Sequence, residues 1–292
     1  MLSLILVMTM QEKSFVAPGA EIARLPGTYR FTEGPCWTKD GKLIFSDIPA
    51  NMIYRWDGKK MSVYRENSRG ANGNTIDAKG NVISCEHGGR QVFIQMVDGA
   101  TQVLAHEFTG KKLNSPNDVA VHPDGDIVFT DPTYGIRPNQ KEQDAQYVFR
   151  IDGKGNISAI AKGRNQPNGL VFSPDGKKLI IADSGASQMD VVDWEAVKKE
   201  MVVLGETTHL AAHPGPDGVR VDAEGRIWAA CGDGVRVISP QGALLETIKF
   251  PEQPANLCFG EDGRTLFVTA RTGVYSLRVT IKGIMPGFSD IK

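Results

Sequence analysis

The feature that most limits what this chain can become is a repeat carried by its turns. Six segments share the form strand, tight Asp-Gly, Glu-Gly or Lys-Gly turn, strand: GPCWTKDGKLIFSD, GNTIDAKGNVISCE, DVAVHPDGDIVFTD, GLVFSPDGKKLIIAD, GVRVDAEGRIWAAC and LCFGEDGRTLFVTA. Their turn glycines, Gly41, Gly80, Gly125, Gly176, Gly225 and Gly263, are 39, 45, 51, 49 and 38 residues apart. An interval of that length holds four short antiparallel strands, the content of one propeller blade. Each segment supplies two inner strands, and the residues after it supply the outer pair, as in MIYRWDG followed by MSVYRE. Six repeats therefore predict an all-β, six-bladed β-propeller. The last repeat stops after GVYSLRV, one strand short, while EIARLPG (residues 21–27) precedes the first repeat without a partner. The N-terminal strand is thus expected to complete the final blade and remove the sheet edges that an open ring would expose. This reading makes residues 21–280 one domain, with tails at 1–20 and 281–292.

Composition narrows the partners. The chain has 32 glycines and 16 prolines, which suits many turns, and a formal net charge of −1. It carries no electrostatic footprint for nucleic acid or an anionic membrane, so a small molecule is the expected partner and the protein a monomer or weak homodimer. Cys36, Cys85, Cys231 and Cys258 lie far apart in apolar runs with no C-x-x-C spacing, the pattern of buried free thiols. The opening MLSLILVMTMQEKSF has a short apolar run but neither a basic leader nor a small-x-small cleavage site. It reads as a weak signal-like segment and not a membrane span, placing the cytoplasm ahead of the periplasm or secretion.

Function is legible in the phase of the repeat. Eight residues before each turn glycine stand Glu33, Asn72, Asn117, Asn168, Asp217 and Ala255, the last followed by Asn256. The first strand of each blade lines the central channel, so residues at one phase form a ring on one face of the disc. Taken singly, Asn-Gly and Asn-Asp are turn dipeptides whose side chains bond nearby backbone; five oxygen-bearing side chains in phase are another matter. Fourteen or fifteen residues further on, Asp47, Glu86, Asp131 and Asp183 return to the same face and predict a second, wider acidic ring. Carboxylates and amides gathered at an axis repel or stay unsatisfied without a cation. Such an oxygen set suits a hard divalent ion, calcium first, with zinc, magnesium or manganese as alternatives.

At these residues the chain resembles the senescence-marker-protein/gluconolactonase family, which includes regucalcin and bacterial gluconolactonases. The motifs TEGPCW, SPNDVAVHPDGDIVFTDPTYG, QPNGLVFSPDG and GPDGVRVD carry the resemblance in family order over residues 21–280. It implies a six-bladed propeller and a catalytic divalent metal held by Glu33, Asn168 and Asp217, with Asn117 at a position that ligates metal in some relatives and touches substrate in others. ANGNTIDAKGNVISCEHGGRQV is similar to the bacterial branch and implies Asn72, Glu86 and His87 as pocket residues. Where the animal branch carries an arginine before its Asn-Asp-Gly, Ser115-Pro116 stand here.

The expected chemistry is lactone opening. A cation polarises the ester carbonyl while Asp217, or Glu33 as the alternative, takes the proton of the attacking water. The insertion PTYGIRPNQKEQDAQ (residues 132–146) is long enough to overhang the channel mouth and bring Tyr134 or Arg137 to substrate, and Arg271 is a further rim candidate. No G-x-S-x-G elbow or phosphate-binding glycine loop is present, which leaves no serine esterase or nucleotide site. Two rival readings share the metal ring: a non-catalytic calcium-binding scaffold, and an organophosphate or aryl-ester hydrolase with a more aromatic pocket.

Overall fold

The computed structural model describes residues 14–163 and 165–287, so the signal-like residues 1–13 and the last five residues lie outside the described part. Six antiparallel sheets are arranged as the blades of a propeller. Their inner strands are Thr32–Trp37, Ala71–Ile76, Val119–Val121, Pro167–Phe172, Val219–Val221 and Pro254–Gly260 in blades 1 to 6. Neighbouring inner strands touch in that order, and the first touches the sixth, which closes the ring. Closure is made as the repeat predicts: Ala23–Arg24 pairs antiparallel with Gly273–Arg278 as the outer strand of blade 6.

The core consists of wedges between blades, because each strand alternates its side chains between two sheet faces. Ile44 packs with Cys36, Ile76 and Val82 between blades 1 and 2. Its neighbours Leu43 and Phe45 face the other way, onto Cys258 and Phe267 of blade 6. The same alternation separates Ile180 from Ile181 in blade 4. Each fully buried Leu, Ile or Phe in these wedges contributes roughly 1.5–3 kcal/mol. All four cysteines are buried free thiols within or beside them.

Both ends of the described chain depart from the tails expected at 1–20 and 281–292. Val16 bridges Val279, Phe15 meets Trp228 edge-on at 5.8 Å, and Ala17 N–H bonds the Arg278 carbonyl. At the other end Gly283 bridges Asp222, and Met285 is buried beneath blades 5 and 6. Their apolar residues cover wedge edges that the strands leave open. Blades 3 and 4 also exchange material: after the helical turn Trp194–Val197, Val202–Val203 adds a parallel fifth strand to blade 3 before Thr208–His209 completes blade 4.

Candidate active site on the propeller axis

The Glu33-Gly34, Asn72-Gly73 and Asn168-Gly169 pairs lie inside strands, so the two Asn-Gly pairs are not the turn dipeptides that each taken singly would suggest. Crowding at the axis explains the glycines. A Cβ on Gly34 would stand 2.0 Å from the Asn72 carbonyl, and one on Gly169 2.2 Å from the Asp217 carbonyl, so only glycine lets adjacent inner strands approach this closely. The pairing register shifts at each of these strands, between Glu33 and Cys36, Ala71 and Asn74, and Pro167 and Leu170. The bulge turns the preceding side chain toward the channel.

Glu33, Asn168 and Asp217 are brought together on the axis, Glu33 and Asn168 buried and Asp217 partly exposed toward the channel, with the buried Asp118 close by. Burial pushes the Glu33 carboxyl up to about 7, and the charge of Asp118 adds to the shift; the Gly34 N–H, Asn256 and Arg220 oppose it. Asp217 is raised well above the carboxylate range, by burial first and then by Glu33 and Asp118. Asn168 gives Nδ2 to Ser184 Oγ at 2.9 Å, and Ser184 donates to the Pro216 carbonyl at 2.8 Å, which leaves Oδ1 of the amide available. The buried Asn117 amide makes no side-chain hydrogen bond among the described residues. Among these residues no three His, Cys, Asp or Glu side chains form a ligand set by themselves. A divalent ion here would be held by a mixed set, the carboxylates of Glu33 and Asp217 with amide oxygens, and the repulsion between those acids is what such an ion relieves.

The second acidic ring is not a ring of free acids. Asp47 accepts the Arg30 and Phe31 N–H groups at 3.0 and 3.1 Å, Asp131 accepts Asn114 N–H at 2.8 Å, and Asp183 accepts Gln166 N–H at 2.9 Å. In all three blades the Asp holds an amide 17 residues upstream, where the chain enters the inner strand. Glu86 pairs with Arg65 at 2.8 Å and Gln91 at 2.6 Å, so its carboxylate is committed to the blade and not to the pocket wall.

Around the mouth, Asn72 Nδ2 lies 3.0 Å from His87 Nε2. Burial depresses His87 to about 4, so the ring is neutral at neutral pH, and a donating Asn72 makes Nε2 the acceptor. The 132–146 insertion folds over this edge. Gly135 donates its N–H to Ser115 Oγ at 2.9 Å and sits so close to His87 that a Cβ would approach the His87 Cβ to 2.6 Å. Tyr134 projects from it, 42% exposed, with its hydroxyl 3.2 Å from Gln166 Oε1 and near Asn168 and Ser184. Arg137 caps the short 3-10 turn Pro138–Gln140, and the Arg271 guanidinium bonds Gln253 at 2.6 Å.

Sequence reasoning gave no role to three axial residues, Asp118, Arg220 and Asn256, although it noted Asn256 beside the sixth ring position. Where four inner strands carry glycine after the ring position, blades 3 and 6 carry Asp118 and Asn256. Asp118 Oδ2 and Asn256 Nδ2 meet at 3.3 Å, and Arg220 Nη1 stands 3.7 Å from Asp118. The break in the glycine pattern was visible in the repeat; the reach of Arg220 was not.

A family model described as the SMP-30/gluconolactonase/LRE-like region matches residues 31–272, which contain every axial residue named above. The chain belongs to this family. Among family relatives, the gluconolactonase of Zymomonas mobilis is 30% identical, over 87% of this chain and 80% of its own length. Regucalcin of Xenopus laevis is 30% identical over 83% and 84%. The solved structure of a gluconolactonase from Xanthomonas campestris superimposes with a TM-score of 0.82 at 30% identity, covering 91% of each chain.

Proposed function

We propose that this protein is a metal-assisted lactonase that opens a sugar-type lactone to its hydroxy acid. The observation that carries the reading is the convergence of Glu33 and Asp217, the charge of Glu33 raising the proton affinity of Asp217, beside the amides of Asn168 and Asn117. Relatives named gluconolactonase supply the substrate class. A divalent cation, calcium in the first place, supplies polarisation of the carbonyl and stabilisation of the oxyanion when bound, an effect of several kcal/mol.

The side chains of this protein do the rest. Asp217 accepts the proton of the water that adds to the carbonyl carbon; the ring C–O bond then breaks, and the leaving oxygen takes a proton to become the hydroxyl of the product. Asn72, with its amide held against His87, offers Oδ1 to a sugar hydroxyl, and the unpaired Asn117 amide offers both a donor and an acceptor. Tyr134 on the overhanging segment covers the Asn168 side of the pocket and limits water there. A pocket lined by amides, an imidazole and a phenol favours a polyhydroxylated lactone over an aryl ester.

A pH-indicator assay on D-glucono-1,5-lactone, with a panel of γ-lactones and aryl esters, tests this reading. We expect chelator to abolish turnover, added calcium to restore it, and Asp217→Ala to lower kcat/KM by about a thousandfold or more. Turnover indifferent to chelator and to that substitution would defeat the mechanism. Metal retention without hydrolysis of any lactone or ester would favour a calcium-binding scaffold.

A further inference from the structure

Beneath the axial oxygens the channel is crossed by side chains from opposite blades. Gly34, Gly73, Gly169 and Gly218 leave the centre open on four strands, and Asp118 and Asn256, on blades 3 and 6, fill it from opposite sides. Asn256 is held in one orientation: Oδ1 accepts Leu257 N–H at 2.8 Å, so Nδ2 faces the carboxylates of Asp118 and Glu33. Arg220 enters from blade 5 with its side chain only 6% exposed, and at 3.7 Å from a single Asp118 oxygen it makes no forked pair. A loose buried ion pair is weak evidence for stability, because an apolar plug would close the same channel without the desolvation cost. Its charge must be what matters.

We infer that Asp118, Asn256 and Arg220 are positioning residues that set the formal charge of the axial site and make it selective for one divalent cation. This rests on the reading that the axial oxygens hold a cation. Glu33, Asp118 and Asp217 contribute three negative charges and Arg220 one positive, so the cluster balances a charge of two. Asn256 does the geometric part, joining Asp118 to Glu33 through a neutral amide, and the floor keeps water from reaching the site through the channel.

The test is a double-mutant cycle read by calorimetric titration with Ca2+ and by Tb3+ luminescence, alongside thermal melts. Asp118→Asn keeps the shape and removes a negative charge; Ca2+ affinity should fall about tenfold or more. Arg220→Met removes the positive charge, and preference for Tb3+ over Ca2+ should rise by about tenfold with no loss of Ca2+ affinity. The double variant should return the Tb3+/Ca2+ ratio to within about threefold of the parent. A merely structural floor predicts the opposite pattern, both single changes weakening both ions and the double change weakening them most, and that result overturns the proposal. If Arg220→Met does not fold, Arg220→Gln replaces it, and Asp118→Asn decides independently through its Tb3+/Ca2+ ratio, which the loss of a negative charge should lower and a merely structural change should leave unaltered. A parent protein that binds neither ion defeats the metal reading itself, whereas a parent that binds while its variants keep its ion preference defeats only the charge-setting role.

Discussion

The axial pair Glu33 and Asp217 and the outer Asp47, Asp131 and Asp183 are acids placed by the same repeat, yet their surroundings differ. Asp47 receives two backbone N–H groups from the segment that leads into its blade, Asp183 receives one from that segment and one from Ala186, and Asp131 receives one, from Asn114. Glu33 has one such donor, Gly34 N–H at 2.7 Å, and faces other acids across the axis; Asp217 has the Asn168 amide. Asp47 and Asp183 bind the chain to itself, so their charge is dispersed over local dipoles; Asp131 keeps Oδ1 without a hydrogen bond among the described residues, and burial pushes its carboxyl up to about 7. The axial acids have too few donors for that, and their charge remains available to a ligand. What separates Asp47 and Asp183 from Glu33 and Asp217 is the supply of backbone N–H groups within reach.

The contrast can be broken by mutation. The largest stability effect should come from Asp47→Ala, which orphans the Arg30 and Phe31 amides and should cost about 2–4 kcal/mol in urea denaturation. A loss below about 0.5 kcal/mol would show that Asp47 anchors nothing. Next comes His87, whose folded value is depressed to about 4 from 6.5. Its contribution is therefore present in full above pH 6.5 and is lost as pH falls toward 4, at roughly 1.4 kcal/mol per pH unit at most. Replacing it with Gln should flatten the stability profile between pH 6.5 and 4, and an unchanged slope in that window would place the titration elsewhere. The smallest effect, opposite in sign to that of Asp47, is expected for Asp217→Asn in chelator. Removing one of two repelling acids should raise the melting temperature by a few degrees, about 1 kcal/mol, and calcium should then stabilise the variant less than the parent. A melting temperature lowered in chelator would mean that Asp217 is an anchor like the outer acids.

The repeat made the fold readable because strand alternation and turn glycines are local properties, and a ring of blades multiplies a local signal six times. The convergence of Glu33, Asn168 and Asp217 followed from the same phase. Glu86 did not follow, since nothing in SCEHGG announces that Arg65, 21 residues earlier, will take its carboxylate. Nor did the packing of residues 14–20 and 281–287, whose apolar side chains find their partners only once the wedges exist.

By itself, then, the sequence determined the blade count, the closure by the N-terminal strand and the phase that gathers oxygen atoms at one end. Only the tertiary structure decided which acids are spent on backbone amides, which face each other, and that Asp118, Asn256 and Arg220 cross the axis. Periodicity along a chain specifies the direction in which a side chain leaves its own strand. What it meets depends on residues from other blades, as with Asp118 and Asn256, 138 positions apart in the chain and 3.3 Å apart in space.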